Sequence, residues 1–138
     1  MTDSSTTDSP RQKPFFIKVD DAPTGKLKYD RGWIQRLVNQ GTGARNVDVH
    51  INHINDDSGP GELHYHAHTE NVYIVLSGVL EVVVEGERHL LEPGWVGYIP
   101  PGAHHTAGSV GGQGVTKVIE IYAPAGQDFH VVEEPEDR

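Results

Sequence analysis

The chain reads as a series of short runs in which apolar and polar positions alternate, each closed by Gly, Pro, Asn or Asp. Runs of this kind, rich in β-branched and aromatic residues, predict strands. They fall at 15–19 (FFIKV), 32–38 (GWIQRLV), 46–54 (NVDVHINHI), 71–77 (NVYIVLS), 79–85 (VLEVVVE), 88–92 (RHLLE), 95–99 (WVGYI) and 115–123 (VTKVIEIYA). The stretches SGVL, EGER and EPGW set a glycine between neighbouring runs, as tight turns require, and NDDSGPGE makes a longer turn. No helix longer than about ten residues fits the pattern. Many short strands with frequent turns predict an all-β sandwich or barrel. Period-two alternation also assigns faces. Asn71, Tyr73 and Val75 share one, taken as inward; Val47, Val49 and Ile51 lie opposite Asp48, His50 and Asn52. The latter three are expected on a hydrated outer face rather than at a pocket mouth.

Composition narrows this picture. The chain has 138 residues and no cysteine, so one domain must hold together without disulfides and no thiolate chemistry is available. The predicted domain spans 14–132, between a polar tail at 1–13 and an acidic tail at 133–138. A net charge of −9 argues against a nucleic-acid partner, whose binding depends on basic contacts to phosphate. No stretch approaches the ~20 apolar residues of a membrane span, and the first residues lack the basic-then-apolar pattern of a secretory signal. A cytoplasmic protein without membrane association is the expectation.

Chemistry concentrates at GPGELHYHAHTENVYIVLSG (59–78), which spends three of the nine histidines at a spacing of two. On an extended strand His64 and His66 project to the same side, ~7 Å apart along the chain. His68 joins them only if the strand continues, and AHTE reads as a turn, so His68 is expected at the rim. A third ligand must come from elsewhere. GWVGYIPPGAHHTAGS (94–109) offers His104 and His105 after a strand and a rigid PPG turn.

Both stretches resemble the paired motifs of the cupin superfamily. The first family motif is G-x5-H-x-H, three or four residues, E, six residues, G. Here it runs through His64-Tyr65-His66, AHTE, Asn71, VYIVLS and Gly78. The second is G-x5-P-x-G-x2-H-x3-N, matched by Gly94, Pro100, Gly102, His105 and Ser109. Fifteen residues separate Gly78 from Gly94, the short spacer of small single-domain members. The resemblance covers about 45–125. It implies a double-stranded β-helix (jelly-roll) barrel holding a divalent metal on His64, His66 and His105, with His104 at a non-ligand position. It also implies a homodimer, because small cupins pair through sheet edges.

Three positions depart from the motifs. Ser58 stands where the first glycine belongs, and Ser109 replaces the last Asn. The usual Glu position holds Asn71, with Glu70 one residue earlier. Asn71 lies near or weakly on the ion, or Glu70 is turned onto it by a bulge, since by parity it faces away, or the site has lost its metal in practice. Three neutral imidazoles leave the +2 charge uncompensated, which favours anionic substrates such as enolates, hydroxy-acids or catecholates. Imidazole suits several metals; Fe(II) is the expected ion, with Mn, Ni and Zn as alternatives. Occupancy is expected to fall below about pH 6.5 as the imidazoles protonate.

The resulting expectation is a metal-dependent enzyme acting on a small organic substrate, a dioxygenase first. An isomerase, cyclase or lyase on the same site, and a non-catalytic ligand-binding cupin, are the rivals. Tyr73 and Asn71 are candidate catalytic residues, Tyr73 offering its hydroxyl to a substrate. Arg36 reads as an exposed strand arginine, His53 as structural, His89 and His130 as solvated, and Trp33, Trp95 and Phe129 as packing residues.

Overall fold

The computed structural model describes residues 12–126 and 128–133; most of the two predicted tails lies outside them. Twelve strands follow in chain order: β1 (Thr24–Lys26), β2 (Gly32–Val38), β3 (Asp48–Ile54), β4 (Gly59–Pro60), β5 (His64–Tyr65), β6 (Glu70–Ser77), β7 (Leu80–Val84), β8 (Glu87–Leu91), β9 (Val96–Ile99), β10 (His105–Ser109), β11 (Thr116–Ala123) and β12 (His130–Val131). They form two antiparallel sheets, ordered β1-β2-β3-β11-β6-β9 and β12-β5-β10-β7-β8, with β4 also on β10. The fold is the cupin jelly roll that the resemblance implies.

The predicted runs from residue 32 onward all become strands. The run at 15–19 does not: Phe16 is almost fully exposed, the chain turns at Val19–Asp21, and the sheet edge on that side is already occupied by β1. Instead, the Val19 carbonyl accepts a hydrogen bond from Gln35 Nε2 on β2 at 3.2 Å.

Inward parity on three neighbouring strands sets a gradient along the barrel. On β11 the inward residues are Thr116, Val118, Glu120 and Tyr122, all buried. Register places Val118 opposite Asn52 and Val75, Glu120 opposite His50 and Tyr73, and Tyr122 opposite Asp48 and Asn71. Toward one end the interior is apolar: Ile54, Tyr73, Val75, Leu80, Val82, Leu91, Ile99 and Val118 form one cluster. Full burial of each such aliphatic side chain contributes about 1.5–3 kcal/mol. Toward the other end the same strands turn polar, and the histidines collect there. The family glycine Gly78 has a physical reason: at φ 74°, a Cβ there would lie 2.5 Å from Thr116 Oγ1 and 2.6 Å from its Cα.

One face assignment is reversed. Asp48, His50 and Asn52 face the barrel interior, not solvent, with His50 buried and Asn52 half-buried. Their opposite numbers on β11 include Glu120, so the polar face of β3 is matched by a buried carboxylate. On the apolar face Ile51 is buried and pairs with Gln35 of β2, whose side chain bonds the Val19 carbonyl.

Candidate metal centre and its cavity

Three imidazoles meet at the polar end. His64 and His105 are direct cross-strand partners on β5 and β10, which brings side chains on one face within contact. His66 follows two residues after His64, just past β5. The ring centroids of His64 and His105 are 4.3 Å apart, those of His64 and His66 5.0 Å, and those of His66 and His105 5.4 Å. One nitrogen from each lies within 4.8 Å of the others.

Each ring is oriented by a backbone carbonyl. His64 Nδ1 lies 2.8 Å from Glu62 O, His66 Nδ1 2.5 Å from Asp128 O and His105 Nδ1 2.9 Å from Ala103 O. A carbonyl only accepts, so each Nδ1 carries the proton and each Nε2 keeps a lone pair. Nε2 of His66 and of His105 is buried without any hydrogen-bond partner among the described residues. Buried polar atoms are rarely left so, and a divalent cation supplies what these lone pairs lack. The residues therefore fit a metal ion, which the family fold implies. Burial pushes His64 down to about 4, helped by the other two histidines; burial also lowers His105. Both are neutral, ligand-ready imidazoles at neutral pH.

The surrounding chain holds this geometry. The PPG turn crosses over His66, whose carbonyl accepts from Gly102 N at 2.7 Å. Asp128, on the closing C-terminal segment, accepts from the backbone N–H of Ala67, from His68 N at 3.3 Å and from Thr69 Oγ1 at 2.9 Å. Desolvation opposes its charge, yet these donors hold its carboxyl well below the usual range. Phe129 stacks on His64 with centroids 4.2 Å apart; it is a wall of the site as well as a packing residue. We expect Asp128→Ala to weaken metal affinity about tenfold, as loss of an outer support does, measured by competition with a zinc chelator.

The other sequence candidates separate clearly. Asn71 is fully buried, and neither amide atom finds a hydrogen-bond partner. It lies opposite Tyr122, whose ring is 5.3 Å from that of His66. Glu70, the alternative fourth ligand, does not turn inward: it is exposed and accepts from Tyr98 Oη at 2.6 Å. No bulge in β6 reverses its parity at this end. His68 is exposed at the rim, and His104 stacks on Tyr65 outside the cluster. His53 stacks on Trp33 at 3.9 Å, Arg36, His89 and His130 are exposed, and Trp95, expected to pack, is more than half exposed. Asn71→Glu should lower the thermal midpoint of metal-free protein, where the new carboxylate is buried unpaired, and raise it with saturating zinc. Melting curves with and without zinc check both signs.

A cavity of about 430 Å³ opens beside the cluster, lined by residues including His64, Tyr73, Tyr122, Glu120, Asn52 and Arg31. Its size suits a small organic molecule. A larger open depression of about 930 Å³ lies between 12–15 and 40–45 and holds none of the histidines.

Glu120, Tyr122 and Arg31 are lining residues missed in the sequence. Glu120 is buried. It accepts from Asn52 Nδ2 at 2.5 Å and Tyr122 Oη at 2.6 Å, and His50 Nε2 lies 3.7 Å away. Burial alone would raise its pKa; His50, Tyr122 and Asn52 outweigh that and hold it below the ordinary value. Burial likewise opposes a charge on His50, but Glu120 and then Asp48 raise it overall. Burial, with Glu120's charge, pushes the phenols of Tyr73 and Tyr122 well above 10. The signal was available: Glu120 occupies an inward position in the otherwise apolar pattern of VIEIY. Arg31 is half-buried and donates from Nη2 to Gly59 O at 3.1 Å and Ala107 O at 2.9 Å. Nothing local in KYDRGW marks it.

With this geometry in place the family is settled by sequence: the chain belongs to the cupin family, whose cupin-domain model matches residues 53–122. No curated protein matches it significantly. Among solved structures it is similar to the polyketide cyclase RemF from Streptomyces resistomycificus, with TM-score 0.74 and 20% identity over 91% of this chain and 89% of that one. It is similar also to KdgF from Halomonas sp., with TM-score 0.70 and 18% identity over 91% and 98%. A cupin sugar phosphate isomerase from Silicibacter pomeroyi gives TM-score 0.72 and 15% identity over 86% and 82%. At such identities the likeness establishes the fold. Among the described residues no helix is long and apolar enough to cross a membrane.

Proposed function

We propose that this chain is a metal-dependent enzyme that moves a proton on a small anionic or enolisable molecule, as an isomerase, cyclase or lyase does. The observation that carries the reading is the convergence of His64, His66 and His105, two of them with buried partnerless Nε2 atoms, beside a cavity that also holds an ionised carboxylate. His64, His66 and His105 would hold a divalent ion, with Asn71 adjacent. Such an ion supplies Lewis-acid polarisation of a bound oxygen and acidification of a bound water.

The chain's own groups do the rest. Glu120 is ionised at neutral pH and accepts a hydrogen bond or proton from the substrate. Tyr73 and Tyr122 stay protonated; Tyr122 donates to Glu120, and Tyr73 is the donor for the substrate. Phe129 and Tyr122 shield the rings from bulk water. This acid–base set moves proton transfer ahead of the dioxygenase expected from sequence, and two of the structural neighbours, a cyclase and an isomerase, are named for non-oxidative chemistry. Oxygen chemistry with Fe(II) remains the rival reading.

Metal analysis of protein purified without a histidine tag is the first test, with about one ion per chain expected. Incubation with diketones, hydroxy-acids and keto-acids in D2O should then give deuterium incorporation by NMR without oxygen uptake. Oxygen consumption matched to substrate loss with Fe(II) establishes the dioxygenase instead; saturable ligand binding with neither reaction establishes a binding protein. We also infer a homodimer through the open side where β8 and β9 are edge strands, because Leu90, Trp95, Val96 and Tyr98 are exposed there. Sedimentation equilibrium should give twice the chain mass, and Trp95→Glu should shift it to monomer.

A further inference from the structure

We propose that the cavity contains an anion subsite at Arg31, so that the substrate is a short organic acid with a carboxylate at Arg31 and its other polar end at the histidine cluster. The proposal rests on the reading of that cluster as the reacting centre.

One charge in the cavity lacks a close partner. Four charged side chains line the cavity: Lys28, Arg31, Glu62 and Glu120. Lys28 Nζ lies 3.5 Å from Glu62 Oε1, and Tyr29 Oη donates to the same carboxylate at 3.3 Å, so this pair cancels at the mouth. Glu120 is committed to Asn52, Tyr122 and His50. Arg31 has no carboxylate within ion-pair distance among the described residues. Two neutral carbonyls take Nη2, and Nε is buried with no acceptor. Burial disfavours the guanidinium's charge, and Glu120 offsets this only from beyond ion-pair distance; enclosing a charge with no close partner is costly, and its planar set of donors is matched to carboxylates. An anion brought by the ligand completes it.

The placement sets the ligand's length. Ala107, whose carbonyl anchors Arg31, lies two residues beyond His105 on β10, a step of about 7 Å. A chain of a few carbons spans that interval. Gly61 keeps the space open, since a Cβ there would come within 3.1 Å of Arg31 Nη1.

The test is calorimetric titration of the full chain, with and without zinc, using glycolate, malate and malate with its distal carboxylate converted to an amide. In the zinc-loaded protein all three offer the same α-hydroxy-acid end, and only malate adds a second anion. Wild type should bind malate roughly tenfold or more tighter than the other two. Arg31→Gln, whose amide can still donate to the Gly59 and Ala107 carbonyls, should abolish that preference while zinc stoichiometry is unchanged. Arg88→Gln, on β8 and outside the cavity lining, should leave the preference intact. Equal binding of malate and its distal amide by wild type overturns the subsite even if Arg31→Gln fails to fold, as does a malate preference that survives in folded Arg31→Gln. If the chain takes up no zinc, the metal reading falls. An Arg31-dependent malate preference in zinc-free protein then keeps the subsite, and its absence in that form overturns it.

Discussion

His105→Ala is expected to take the chain from about one bound divalent ion to none, while the barrel stays folded. His105 is fully buried, and its Nε2 has no hydrogen-bond partner among the described residues. Its removal leaves two imidazoles, below the three protein ligands that catalytic sites of this kind use. The fold should survive because the histidine's one hydrogen bond in the metal-free chain, to Ala103 O, is local to its own turn. Deleting it also relieves a buried lone pair. Equilibrium dialysis against zinc, with circular dichroism as the control for folding, gives the answer. Full metal stoichiometry in the folded variant would mean that the three rings do not share an ion. The pH dependence moves as well. A folded-state pKa below 6.5 for His64 and His105 means that protons compete for these two ligands only at lower pH. The loss of metal expected from sequence below about 6.5 is therefore displaced downward as far as these residues govern it.

How much of this was legible varies with the kind of signal. The strand parity of Asn71, Tyr73 and Val75 carried through, because β6 is paired on both sides by β11 and β9 and its inward residues are all apolar or uncharged. The same parity on β3 was read correctly as alternation and wrongly as to which side is wet. Polarity marks the outer face only when the interior is uniformly apolar, and here Glu120 makes the interior polar opposite His50. That pairing joins positions far apart in the sequence and is invisible locally. β10, HTAGS, has little of the β-branched character that flags a strand. It is held by pairing with β7, β5 and β4. Its small residues let Arg31 and the 59–61 segment approach. The histidine spacings were the strongest local signal, since both sit beside turn chemistry that aims them. Glu70 and Asn71 could be separated only by the observed register.

Glu120→Gln is expected to destabilise the chain by about 3 kcal/mol near pH 5.5, the scale for removing one member of a buried charge pair, and to lower turnover about a hundredfold or more. The pH signature distinguishes this from generic damage. Glu120 has a folded pKa below the ordinary glutamate value of 4.5, so its stabilisation is present above that value and is lost as pH falls through the folded pKa. His50 has a folded pKa above 6.5, so its contribution is complete below 6.5 and is lost as pH rises through the folded pKa. The two overlap between about 4.5 and 6.5, where the wild type should exceed Glu120→Gln by the largest margin. Urea melts at about pH 3.5, 5.5 and 8.5 should show the gap narrowing on both sides. It should narrow less on the alkaline side, because the hydrogen bonds from Asn52 and Tyr122 to the carboxylate persist there. His50→Gln should remove the alkaline limb and weaken the acid limb, because His50 leads the groups that hold the Glu120 carboxyl down. Equal stability of wild type and Glu120→Gln at pH 5.5 would show that the carboxylate is not paired with His50, and the ionised acceptor on which the proton-transfer reading depends would go with it.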